Sequence, residues 1–437
     1  MNLLLNYART VLFPVILLIG VSIQAMEPIS LKTQAASAIG RYLDCRELPI
    51  DAIDANLPDY LKVDILFWQK YSNKDSYNKA LFDRDLRSEY LDDLIKGGAD
   101  INCTINEETS LISAIKNKKL ALFESLVAHG ADFKALESNG TTLLMITAQK
   151  GAIDIMLFLV KNGAQIDQQD NSGETALLYA AGEGHDVVVQ FLINHGADIN
   201  KSNNKGETAL MIAVQEGHTN VVSQLLINNR TQINQQDNKG MSALIHAAYK
   251  GNLDIIQLLL QNGAQVNMQD IYGQTALMRA VYMGNLDTIQ LLLQNGAQVN
   301  MQDIHGQTVL MYEKGNLDIM QLFIQNGAQV NMQNNDGWSA LMRAVYMGNL
   351  DTIQLLLQNG ANINLCDNEH ATALIYALLN KQYKLAKLLI THGASINENI
   401  INFCKYSTHS TSKKELLLKA LLYSCALYGG WKLAKYR

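Results

Sequence analysis

Nine histidines, five cysteines and a recurrent set of aspartates are the residues of this 437-residue chain that could carry chemistry. Cysteines and histidines at short spacing hold metals, a histidine beside a serine or cysteine activates a nucleophile, and paired carboxylates exchange protons. None of these patterns forms. Cys45, Cys103, Cys366, Cys404 and Cys425 are odd in number, scattered and without CxxC spacing, so they read as small buried or loop residues, with Cys404 and Cys425 able to meet near the C-terminus. His185 and His218 each follow a glycine, whereas His129, His195 and His392 each precede a Gly-Ala pair. At that second place other stretches carry Asn, which marks a polar residue closing a helix rather than a base. Asp254, Asp287, Asp318 and Asp351 recur at the start of an apolar run, where the positive end of a helix dipole explains an acid. No phosphate loop, HExxH or GxSxG occurs. The sequence predicts no catalytic residue, no metal site and no cofactor; the chain is expected not to be an enzyme.

What recurs is the spacing itself. Glycines with fixed flanks stand at Gly140, Gly173, Gly206, Gly240, Gly273, Gly306 and Gly337, in steps of 33, 33, 34, 33, 33 and 31. Each is followed two residues on by Thr or Ser and then by an apolar stretch, as in "GETALLYAAGEGH" and "GMSALIHAAYKGN", and later by "NGAQVN" or "HGADIN". A sustained period of this length marks a chain built from stacked supersecondary units. Within one unit "TALMRAVYM" is a short helix that Thr can cap, and Gly284 permits the turn that ends it. "NLDTIQLLLQN" is a second helix with a broad apolar face, which Gly296 stops. "AQVNMQDIYG" is a polar, hairpin-like loop in which Asn300 can bond neighbouring backbone. One such unit cannot bury its apolar face alone, so copies must stack.

These features resemble the ankyrin repeat: a Gly, the T-P-L-H stretch, two Ala, a central Gly-His, a leucine-rich second helix and G-A-D-V-N follow in order and in spacing. Units with Glu107 and His370 at the Gly position, and a degenerate unit ending "LDDLIKGGADIN", extend the likeness over residues 74–397. Ala usually replaces the family Pro, and Met211, Met278, Met311 and Met342 stand where the family has His. The resemblance implies an all-α repeat solenoid of helix-turn-helix units with hairpin-like loops, closed by helical caps at both ends. It also implies a protein partner docked on the concave side, along the hairpin tips and the edge of the first helix. Tips near Asn171, Ser172 and Glu174, or Asn204, Lys205 and Glu207, are ordinary solvated residues. From Gly240 onward the corresponding positions are Met241, Ile271, Tyr272, Ile304, His305 and Trp338 at the tips, with Tyr249, Tyr282, Met283, Tyr346 and Met347 at the end of the first helix. Such side chains are costly to leave wet and are enriched at interface hot spots, so these residues form the expected binding surface.

The flanks differ. Residues 1–25, with Arg9 before an uncharged apolar run over 11–23 and Ala25 at its end, have the layout of a secretory signal peptide. The run is short of the roughly 20 residues that span a bilayer. A periplasmic or secreted protein is expected; uncleaved, residues 3–23 would instead anchor the chain to a membrane. Residues 26–73 read as short helices broken at Pro49 and Pro58 that cap the first repeat, and "LPDYLKVDIL" also bears a weak likeness to the start of an F-box. Residues 398–437 carry Ser412 with Glu415, a capping box before an apolar-faced helix, and read as the C-terminal cap.

Apolar content of 48%, charge of only 17%, four prolines and a net charge of −6 indicate folded protein and argue against a nucleic-acid surface. Export joined to ankyrin-like repeats resembles proteins of bacteria that live inside other cells, which implies an effector, monomeric, acting on a host protein. The alternative is an adaptor whose residues 26–73 recruit a ubiquitin ligase or carry a second activity.

One unit is irregular. "GQTVLMYEKGNLD" from Gly306 lacks two residues that "GQTALMRAVYMGNLD" from Gly273 and "GWSALMRAVYMGNLD" from Gly337 contain. Two residues turn a helix by about 200°. The first helix must therefore end after Met311 or Tyr312, with a turn through Lys314 and Gly315. Without counterparts of Ala280 and Val281, contact with adjacent units should be thinner there.

Overall fold

The computed structural model describes Phe67, Lys70, Tyr71 and residues 76–83, 86–106, 108–134, 136–228 and 230–395. The readings of 1–25, of nearly all of 26–73 and of 398–437 fall outside these residues. Two compact units divide the chain, one ending at Asp198 and the other starting at Ile199.

The first unit opens with α1 (Tyr77–Ala80), a 3-10 turn at Ser88–Tyr90 and α2 (Leu91–Lys96). A two-residue hairpin, β1 (Thr104–Ile105) and β2 (Glu108–Thr109), pairs antiparallel with Thr104 opposite Thr109. Three helix pairs follow: α3 (Ser110–Lys116) with α4 (Leu120–Ala128), α5 (Leu143–Lys150) with α6 (Ile153–Lys161), and α7 (Ala176–Glu183) with α8 (Asp186–Asn194). The first helices stack, α3 on α5 and α5 on α7, because one turn of small and apolar residues such as Ala176, Leu177, Leu178, Ala180 and Ala181 is fully buried.

Among its described residues the second unit contains six pairs: α9 (Ala209–Glu216) and α10 (Thr219–Ile227), α11 (Ala243–Lys250) and α12 (Leu253–Gln261), α13 (Ala276–Met283) and α14 (Leu286–Gln294). Then come α15 (Val309–Tyr312) and α16 (Leu317–Gln325), α17 (Ala340–Met347) and α18 (Leu350–Gln358), α19 (Ala373–Leu379) and α20 (Tyr383–Thr391). Among the described residues no helix is long and apolar enough to cross a membrane. The sequence-predicted caps form: the hydroxyls of Thr208, Ser242, Thr275 and Ser339 accept the amide three residues on. Gly284 ends α13 in the left-handed region, at φ 72°, which a side chain would resist.

Two polar ladders tie neighbouring loops together. Asn234, Asn267, Asn300 and Asn331 each donate to a glycine carbonyl of the next unit and accept an amide from it; for Asn300 these are Gly327 O at 3.0 Å and Gln329 N at 2.8 Å. Gln236, Gln269, Gln302 and Gln333 donate forward to Gln269 O, Gln302 O, Gln333 O and Cys366 O at 2.8, 2.9, 3.0 and 2.8 Å. These bonds satisfy loop backbone groups that stacking would otherwise strand.

The shortened unit resolves its deletion locally. Helix α15 ends at Tyr312 and Glu313 turns to extended backbone, φ −65° and ψ 137°. The Glu313 carboxylate accepts the amides of Lys314 (2.7 Å), Gly315 (3.1 Å) and Asn316 (2.9 Å), so three donors exposed by the missing turn are satisfied by one side chain. Asn316 then caps α16 through the amides of Asp318 and Ile319. Only Val309, Leu310 and Met311 are buried in α15, against five residues in α13. The expected thinning therefore shows in the first helix. In α16 the buried side chains are Ile319, Met320 and Phe323, bulkier than the Thr288, Ile289 and Leu292 of α14.

Candidate protein-binding surface

Most hairpin tips are built on one buried polar side chain: Asp170, Asn203, Asp237, Asp270, Asp303 or Asp367. Asp270 accepts the amides of Tyr272 (2.9 Å) and Gln274 (2.8 Å) on Oδ1, which pins the tip. Its Oδ2 accepts from Arg279 Nη2 at 2.6 Å, nine residues on and in the first helix. The same device joins Asp237 to His246 (3.0 Å), Asp303 to Tyr312 (2.5 Å), Asp367 to Tyr376 and, in the first unit of the chain, Asp170 to Tyr179 (2.9 Å). A buried carboxylate needs such partners. Where Asn203 replaces the acid, its amide donates to Glu207 at 3.0 Å and the residue nine on is the apolar Ile212. Burial and the nearby Asp170 carboxylate push the Tyr179 phenol up to about 12; Tyr312 and Tyr376 are raised by the same causes. This pairing was not anticipated, although an Asp or Asn nine residues before a donor repeats visibly along the chain.

Contacts between successive tips follow a second rule. The residue four beyond the bend acid touches the residue nine beyond the next one: Gln274 Nε2 donates to Tyr312 Oη at 2.7 Å, and Arg343 Nη1 donates to Gln307 Oε1 at 3.4 Å. In the same pattern the rings of Trp338 and Tyr376 lie 4.5 Å apart. That places Trp338, expected at an open tip, in a half-buried slot between Tyr376 and Tyr346, whose ring is 5.5 Å away. Met241 is likewise half-buried. Both are seam residues more than surface ones.

The remaining predicted residues do lie open. Tyr249, Ile271, Tyr272, Tyr282, Met283, Ile304, Tyr346 and Met347 range from 41% exposed at Tyr249 to 66% at Met347, too much for side chains that cover inter-unit seams. His305 is exposed as well. Ile271 and Ile304 are the most telling. At the equivalent position Asn238, Asn335 and Asn368 donate to the preceding tip at Asn204 O (2.9 Å), Ile304 O (2.8 Å) and Asn335 O (2.8 Å). Isoleucine surrenders that bond twice and presents an apolar side chain to water instead. At the end of the first helix the Lys314 ammonium lies 4.8 Å from the ring centre of Tyr282, a cation–π contact.

The candidate chemical residues have structural duties. His129, His195 and His392 use Nδ1 to bond the helix carbonyls of Ser125, Phe191 and Leu388 at 2.7–2.9 Å, as Asn262 and Asn295 do with Nδ2 elsewhere. His129 also meets Asp92 at 2.8 Å; its basicity is raised by the Ser125 carbonyl and by Asp92. His185 Nε2 bonds Gln149 O at 3.0 Å. Burial pushes the thiols of Cys103 and Cys366 up, away from reactive thiolate. Among the described residues no group of His, Cys, Asp or Glu is placed to hold a metal ion.

No curated protein matches the chain. The family model for ankyrin repeats, described as three copies, matches residues 84–170, 144–237, 223–303 and 308–400. With that match across most of its length, and with stacked helix pairs joined by hairpin tips, the chain belongs to the ankyrin repeat family.

Proposed function

We propose that the protein is a non-catalytic scaffold that binds another protein through the face formed by Ile271, Tyr272, Ile304, Tyr282, Met283, Tyr346 and Met347. Ankyrin repeats are protein–protein interaction scaffolds, and the exchange of a bonding Asn for an exposed Ile at positions 271 and 304 carries the assignment to this face. Exposed aromatic side chains supply rigid, desolvatable area at little entropic cost, and the thioethers of Met283 and Met347 supply adaptable apolar area beside them. The partner is a protein, the scaffold a monomer, and nucleic acid is not its ligand. The layout of residues 1–25 supports export, and with it a secreted effector acting on a host protein; sequencing the mature N-terminus tests this, and a chain beginning at Met1 would end it.

Crosslinking capture with the chain and with a Tyr282→Ala/Tyr346→Ala variant tests the face. Capture should be lost while the helical circular-dichroism signal stays. Equal capture by both would move the surface elsewhere.

A further inference from the structure

Residues 276–297 and 340–361 are identical in sequence, yet their arginines stand in different company. Arg279 is neutralised by Asp270 at 2.6 Å. Arg343 has Asn334 at the bend instead, and the Asn334 oxygen is already occupied by the amides of Asp336 (3.1 Å) and Trp338 (2.7 Å). Only amide hydrogens remain on that side chain, and a guanidinium, which has donors alone, cannot use them. Arg343 reaches one neutral oxygen, Gln307 Oε1, at a long 3.4 Å. Among the described residues no carboxylate lies within ion-pair distance of it. In the preceding unit the Glu313 carboxylate holds three amides of its own turn.

Arg343 is half-buried and lies one helical turn before Tyr346 and Met347, which are 52% and 66% exposed. Residues so spaced share one helix face. Part-burial strengthens a charge's attraction for an incoming anion, and a guanidinium offers a carboxylate two parallel bonds. Taking the exposed apolar face as the docking surface, as proposed above, we infer that Arg343 is its anion receptor. The occupant is then a segment of a partner protein that presents an aspartate or glutamate between bulky apolar side chains.

Asn334→Asp is the sharpest test. It rebuilds the acid–arginine pair seen at Asp270, keeps the tip bonds, and removes the free charge without truncating any side chain on the face. A display library of random dodecapeptides is selected on the full chain, and the enriched peptides are titrated against the wild type, Asn334→Asp and Tyr346→Ala. Enriched peptides should carry an acid flanked by apolar residues, weaken with added salt, and lose roughly tenfold in affinity on Asn334→Asp, the worth of a charge-assisted bond. A single cooperative melt of the variant, at or above the wild-type temperature, excludes misfolding. Peptides that are neutral or basic, no enrichment at all, or equal binding to Asn334→Asp would each overturn the inference. Peptides weakened by Tyr346→Ala but not by Asn334→Asp would remove the acid from the partner while leaving the docking face in place.

Discussion

The twin helix pairs at 276–297 and 340–361 bury the same five residues of the first helix and leave Tyr282 and Tyr346 almost equally open, at 54% and 52%. They differ in what the preceding tip supplies. An aspartate at 270 closes one arginine into the fold, and an asparagine at 334 leaves the other to the surface. The lesson is that in stacked units the helices set the shape while a single bend residue decides whether a polar side chain serves the stack or the outside. The short unit between the twins teaches the complementary point: its first helix is cut to a single turn, but the loop that follows is held by the Glu313 carboxylate.

The largest expected effect comes from making the twins alike. Asp270→Asn should keep the tip but strip Arg279 of its acid, lowering stability by about 2–3 kcal/mol in urea unfolding. Asn334→Asp should change stability in the opposite sense and by less, about 1 kcal/mol at most, since Arg343 is still partly hydrated. Effects of the same sign in both variants would break the comparison. A smaller effect concerns the unit between them. Amide exchange should be faster across 309–316 than across 276–283, because α15 is one turn long, whereas α16 should be as protected as α14. Uniform protection through α15, or fast exchange throughout α16, would contradict a loss confined to one helix and held by the Glu313 turn.

The smallest effect separates phenol pairs from the arginine pair. Tyr179, Tyr312 and Tyr376 donate to bend aspartates, and their folded pKa values lie above the ordinary value of about 10 for a phenol, at about 12 for Tyr179. A raised value means their contribution to stability is complete below about pH 10 and disappears as pH climbs through the folded values, while the Asp270–Arg279 pair persists. Tyrosinate absorbance should show a late-titrating group that Tyr179→Phe diminishes. Titration of every tyrosine at the ordinary value would deny the pairing.

Much of this fold could be read from residues alone. The glycine period, the Thr and Ser caps and the early end of the helix at Tyr312 follow from backbone rules that act within a few residues. The open face was legible too, because Ile271, Tyr282 and Met347 stand where the earlier units have polar or small side chains, such as Asn204, Gly182 and Glu183. What could not be read depends on contacts between units. Trp338 is half-buried because Tyr376, on the following pair, closes over it; nothing near position 338 announces that. The carboxylate of Glu313 looks like an ordinary solvated side chain until the turn it closes is known. The acid–donor pairing needed a bend residue and a helix residue to be recognised as facing each other, which period counting alone does not reveal.

The asparagine and glutamine ladders bear on how such a chain can grow. Each rung is a side chain belonging to one unit and a main-chain group belonging to the next, and every unit has main-chain groups whatever its amino acids. A newly copied unit therefore arrives with its own connectors and meets sockets already in place, needing no matching change in its neighbours. Lengthening or shortening the array becomes a matter of inserting or deleting interchangeable parts, which fits a chain that carries the same stretch of sequence twice.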